Sequence, residues 1–126
     1  MGQKIAAIND DTVFLDLLHE LLSEEGYEVH LFKEANNAYE RVRELKPDGI
    51  ILDIRMDHPV TGWQVLELIK LDPALTNIPV VICSADLIAL QERAVQLQSK
   101  GCEILPKPFD LDDLLGVLRR VVQPAD

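Results

Sequence analysis

Positive charge is scarce in this sequence. Twelve Lys and Arg face 22 Asp and Glu, a net charge of -10. Phosphate backbones need a basic face, so the composition argues against direct DNA or RNA binding. An acidic surface suits a basic partner protein or a bound cation instead. Long apolar runs are also missing, so nothing reads as a membrane span. Met1-Gly2-Gln3-Lys4 leads straight into a strand-like segment, without a signal peptide. Cysteine is reduced to Cys83 and Cys102, which form no metal or redox spacing. They read as two reduced thiols in a cytoplasmic protein. Apolar residues, in contrast, make up 48% of the chain, enough to fill a sizeable core. The 126 residues suit one domain over 1–126, with a core of about 3–122 and no output domain after Val122.

Short apolar runs alternate with amphipathic stretches. Ile5-Ala6-Ala7-Ile8 stops at Asn9-Asp10-Asp11. Phe14, Leu17, Leu18 and Leu21 then recur at helical spacing until Gly26. Glu28 to Phe32 reads as a second strand, with Val29 and Leu31 on one face. Ala35, Ala38, Tyr39, Val42 and Leu45 form the next helical stripe, broken by Lys46-Pro47-Asp48-Gly49. Ile50-Ile51-Leu52 is apolar on both faces, as a central parallel strand must be. Val65, Leu66, Leu68 and Ile69 mark a third helix, and Val80-Val81-Ile82-Cys83 a fourth strand. Leu87, Leu90, Ala94 and Leu97 give a fourth helix, and Ile104-Leu105 a short fifth strand. Asp110 is a natural N-cap for a last helix carrying Leu111, Leu114, Leu115 and Leu118. The order is strand then helix, five times over. That alternation implies an α/β domain with a doubly wound parallel sheet and right-handed crossovers.

In such folds the chemistry lies beyond the carboxyl ends of the strands. Polar residues collect there: Asp10 and Asp11 after the first strand, Asp53 after the third, Ser84 after the fourth and Lys107 after the fifth. Each alone has a structural explanation, since Asp11 could simply cap the first helix. Together they predict three carboxylates, one hydroxyl and one ammonium at one rim. Crowded carboxylates repel, and a hard divalent cation relieves them; Mg²⁺ favours carboxylates, a main-chain carbonyl and waters.

Asn9-Asp10-Asp11 resembles the acidic pair that ends the first strand of response-regulator receiver domains. Ile51-Leu52-Asp53-Ile54-Arg55-Met56 is similar to the family's phosphoacceptor segment. Ser84-Ala85 matches its hydroxyl residue followed by a small one, and Lys107-Pro108-Phe109 its Lys-Pro-Phe signature. The resemblance covers almost the whole chain. It implies a flavodoxin-like five-stranded sheet of order 2-1-3-4-5, of the chemotaxis, stand-alone single-domain kind. It further implies that Asp53 accepts a phosphoryl group from a histidine kinase. Mg²⁺ would be held by Asp10, Asp11, Asp53 and the main-chain carbonyl of Arg55. Lys107 would neutralise phosphoryl oxygens and Ser84 would bond one of them. Implied partners are a sensor histidine kinase or phosphotransfer protein, and an effector or second copy on the face of helix four, strand five and helix five. Turnover catalysis is not implied beyond self-catalysed phosphotransfer and dephosphorylation.

Three departures stand out. The loop after Asp53 carries Asp57-His58-Pro59 and reaches Gly62 one residue late. Ile104 occupies the switch position where the family often has an aromatic residue or histidine, so a polar tip cannot swing there. Gly101 also falls one residue later than usual before the signature lysine. These features keep open a pseudo-receiver, a protein-interaction module that is never phosphorylated. A haloacid-dehalogenase-type phosphohydrolase fits worse, because its nucleophile follows the first strand and position 55 here is Arg. Trp63 reads as a packing residue, and His19 and His30 as surface residues.

Overall fold

The computed structural model describes residues 3–33, 37–53, 62–84, 87–99, 101–106 and 110–122. At residues 62, 84, 87–90, 93, 94, 106 and 111 it describes the backbone alone. Five strands alternate with five helices: β1 (Lys4–Ile8), α1 (Thr12–Glu24), β2 (Glu28–Phe32), α2 (Ala38–Leu45), β3 (Gly49–Asp53), α3 (Gly62–Leu71), β4 (Val80–Ser84), α4 (Leu87–Ser99), β5 (Cys102–Pro106) and α5 (Leu111–Val121). All strand pairs are parallel and their order is β2-β1-β3-β4-β5, as expected for the doubly wound fold.

Strand alternation sorts the core into two layers. Ala6, Ile8, Ile50, Leu52, Val80 and Ile82 face α2, α3 and α4, where Val42, Val65, Ile69 and Leu97 cover them. Ile5, Ala7, Ile51, Val81 and Cys83 face α1 and α5, where Leu15, Leu18, Leu22, Leu114 and Leu118 cover them. Each fully buried Leu or Ile contributes about 1.5–3 kcal/mol, so both layers hold the sheet. Cys83 and Cys102 are buried thiols in opposite layers and form no disulfide.

Helix ends are set by local chemistry. The Asp11 side chain accepts from the Phe14 N–H at 3.2 Å and starts α1. Gly26 ends it at φ +92, where the Tyr27 N–H bonds the Leu22 carbonyl and the Gly26 N–H that of Ser23. Asp110 caps α5 reciprocally with Asp113, as its sequence position suggested.

The helical stripes needed correction in two places. In α1 the buried residues are Leu15, Leu18 and Leu22, whereas Leu17 is 51% exposed. Positions 14, 15, 17, 18, 21 and 22 are all apolar or aromatic, so periodicity alone offered two overlapping stripes. In α3 Leu68 is exposed while Val65, Leu66 and Ile69 are buried. Trp63 is half-buried and packs on the α2–α3–α4 layer, consistent with its expected packing role. Among the described residues, no helix is long and apolar enough to cross a membrane.

Candidate functional site

The site is built on the carboxyl-terminal rim of the sheet. β3 is buried along its whole length, and its last residue, Asp53, is only 7% exposed. The register sets Leu52 beside Ile8 of β1 and Asp53 beside Cys83 of β4. One residue beyond Ile8 comes Asn9, a buried amide 3% exposed. Alternation puts Asn9, Asp53 and Cys83 in one row on the α1–α5 side. They line a common narrow crevice, floored by Phe14, Leu15 and Leu18 of α1. A carboxylate is thereby flanked by an amide on one side and a thiol on the other.

Asp10 and Asp11 follow β1 and are exposed. They do not join Asp53 in a ready-made cage. Among the described residues, no three His, Cys, Asp or Glu side chains stand close enough together to hold a metal ion. The turn after β1 shows how the Asp11 side chain is used locally. The Asp11 main chain donates to Asn9 Oδ1 at 2.8 Å, and the Asp11 carboxylate is engaged as the α1 cap. Mg²⁺ characteristically takes only one or two carboxylates, with waters completing its shell, so three are not required.

Ser84 ends β4, where its main chain pairs with Pro106 of β5. Its side chain, together with all of Arg55 and Lys107 and the loop containing Asp57 and His58, lies outside the described residues. Ile104 is half-buried and packs against the α2–α3–α4 layer. Gly101 adopts φ +76 in the turn before β5.

Two polar features away from this rim escaped the sequence reading. Asp72, after α3, accepts from the Tyr39 hydroxyl at 2.7 Å and the Ala74 N–H at 2.9 Å, with Arg43 at 3.5 Å. The Tyr39 bond, then that of Ala74, hold the Asp72 carboxyl below its usual range. The same bond, with desolvation, pushes the Tyr39 hydroxyl up. On the β2 edge, an open groove of about 600 Å³ is lined by His19, His30, Phe32, Arg41 and Glu44 among others. His30 bonds Glu28 at 2.7 Å and lowers that carboxyl. Neither feature touches the Asp53 crevice.

The family model for the response regulator receiver domain matches residues 5–119. The chain belongs to the response regulator receiver domain family. Among curated relatives, response regulator MprA of Mycobacterium leprae is 30% identical over 120 residues, covering 95% of this chain and 51% of that protein. The chain thus spans about half the length of the curated relatives it matches. Among solved receiver structures, that of NtrX from Brucella abortus is 28% identical, with a TM-score of 0.80 and coverage of 96% and 99%. Chemotaxis protein CheY4 of Vibrio cholerae is 23% identical, with a TM-score of 0.84 and coverage of 96% and 99%. The receiver domain of a Pseudomonas aeruginosa sensor histidine kinase is 24% identical, with a TM-score of 0.82 and coverage of 97% and 98%; it is described with magnesium coordinated in its active site cleft. The receiver fold and its strand order are those read from the sequence. Asn9 was missed because the search at the rim was for charge. A polar residue on the buried alternation face of β1 was the available signal.

Proposed function

We propose that this receiver domain is a phosphoacceptor switch in a two-component phosphorelay, with Asp53 as the acceptor. The observation that carries the reading is a buried aspartate at the carboxyl end of the central strand, where this fold presents its chemistry. Asp72 is similarly buried, but it is committed to Tyr39, Arg43 and its own loop. The Asp53 carboxylate attacks the phosphorus of a phosphohistidine on a sensor kinase or phosphotransfer protein. A P–O bond forms as the P–N bond breaks, and the imidazole leaves and takes up a proton. Little covalent assistance is needed, so positioning and charge neutralisation supply the catalysis.

The donor set fits Mg²⁺: Asp53, a carboxylate from the Asp10–Asp11 pair, and the main-chain carbonyl of Arg55. Bound there, the ion supplies positive charge at the transferring phosphoryl oxygens. Lys107 adds a compact ammonium, and Ser84 offers a hydroxyl to the modified Asp53. The domain turns over no separate substrate, and we place it in the cytoplasm. Val13 and Leu17 leave an exposed apolar pair on α1, at 76% and 51%, suited to a kinase or phosphotransfer domain. Val95 of α4 is 81% exposed and supports output to an effector, or to a second copy, through the α4–β5–α5 face.

Incubation with Mg²⁺ and acetyl phosphate tests the reading. One phosphoryl group should add to the wild type and none to Asp53→Asn. Labelling that persists in the variant would move the acceptor elsewhere. A second reading, a pseudo-receiver that binds partners without modification, is favoured by Ile104, an aliphatic residue packed into the core layer at the switch position. A wild type that gains no mass would select it.

A further inference from the structure

β2 is an edge strand, paired with β1 alone. In a parallel ladder alternate residues turn both main-chain groups to the same neighbour. The Glu28 N–H donates to the Gln3 carbonyl at 2.9 Å, and the Phe32 carbonyl accepts from the Asn9 N–H at 3.1 Å. Glu28, His30 and Phe32 therefore face β1. Val29 and Leu31 turn their N–H and C=O groups outward, and none of the four meets a partner among the described residues. They lie along the open groove of about 600 Å³ at this edge, between His19 of α1 and Arg41 and Glu44 of α2. An open strand edge is a template for another strand.

We infer that this edge joins a second copy of the same chain, β2 against β2 in antiparallel register, with the two His30 residues opposite each other on the two-fold axis. Charge complementarity about that axis argues for this occupant. In this register Val29 pairs with the partner's Leu31 twice, which closes four main-chain hydrogen bonds and sets apolar against apolar. Glu28 falls opposite the partner's Phe32, and Arg41 lies over the Phe32 ring, 5.7 Å from its centroid. Side chains directly opposite stand about 4.5–5.5 Å apart, so each Glu28 carboxylate reaches the partner's Arg41. Glu28 bonds His30 through Oε2 and keeps Oε1 for that contact. A register centred elsewhere carries part of the five-residue strand past its partner's end and parts these charges. The net charge of -10 on each copy opposes association, but about 0.15 M salt screens it beyond about 8 Å and spares the close pairs. The inference goes beyond the phosphoacceptor reading and does not depend on it.

Sedimentation equilibrium of the full chain tests this. A single strand pair makes a weak interface, so the protein is run at about 1 mM in about 0.15 M salt. The wild type should approach twice the chain mass of 14.2 kDa. Glu28→Arg and Arg41→Glu should each weaken self-association by at least about tenfold, because like charges then meet across the axis. An equimolar mixture of the two variants should recover the dimer, since opposite charges face each other again. Both residues are exposed, so both variants should melt like the wild type. Should either fail to fold, the Val29 and Leu31 amides decide. In the wild type they should exchange at least about tenfold more slowly at about 1 mM than at about 0.01 mM. The inference is overturned by a wild type that sediments as one chain, by association that survives both substitutions, or by amides that exchange equally at the two concentrations.

Discussion

The two rims of the sheet use their polar residues in opposite ways. At the amino-terminal rim several polar groups are tied to architecture. Asp48 accepts the Lys4 N–H at 2.7 Å through its side chain, and its own N–H bonds the Lys4 carbonyl at 2.7 Å. Asp72 gathers Tyr39, Ala74 and Arg43, and Lys70 reaches the Thr76 carbonyl at 3.1 Å. At the carboxyl-terminal rim, by contrast, Asp53 is brought to the sheet's end beside Asn9 and Cys83, and Asp10 is left exposed. The carboxyl-terminal rim carries architecture too, in the Asp11 and Asp110 helix caps, but it is where a buried carboxylate meets the end of the sheet. Substitutions should therefore separate: those at Asp48, Asp72 and Gly49 lower stability, and those at Asp53 remove function.

The largest effect expected is at Asp53. Asp53→Asn should abolish acetyl phosphate labelling while leaving the urea midpoint at or above the wild-type value. A large loss of stability would mean that Asp53 belongs with the architectural set. Next comes Gly49, where an added Cβ would approach Val122 Cγ2 to 2.7 Å and Ile5 Cδ1 to 3.2 Å. Gly49→Ala should cost about 1–3 kcal/mol by overpacking yet label normally. Loss of labelling without loss of stability would reverse the division between the rims.

A smaller effect depends on pH. Asp72 titrates lower in the folded protein than when unfolded, so its contribution is present above about pH 4 and lost as pH falls through the folded value. Tyr39 titrates higher when folded, so its contribution is present below about pH 10 and lost as pH rises through the folded value. The stability gap between wild type and Tyr39→Phe should be widest between these limits and narrow on both sides. A gap independent of pH would reduce the Tyr39–Asp72 bond to packing. The smallest effect belongs to Asp48→Ala, about 0.5 kcal/mol by urea denaturation, because water replaces its exposed hydrogen bond.

Much of the fold was legible because buried parallel strands read as unbroken apolar runs. Ile50-Ile51-Leu52 and Val80-Val81-Ile82-Cys83 could be little else. Asp53 was legible for the same reason, as a charge that ends such a run. The α1 stripe was misread because two faces of that helix are apolar and only docking on the sheet chooses between them. Asp11 was ambiguous because the same side chain can cap a helix or hold a cation, and local spacing is identical for both. The Tyr39–Asp72 bond joins residues 33 apart, and no periodicity reports such a pairing.

The close approach of Val122 to Gly49 also settles where the polypeptide leaves the body of the domain. α5 runs opposite to the strands, so its last turn anchors beside the start of β3, at the far end from Asp53. A reporter or affinity tag added after Val122 would be tethered at the rim opposite Asp53. A message from Asp53 to that anchor has the length of the sheet or of α5 to cross.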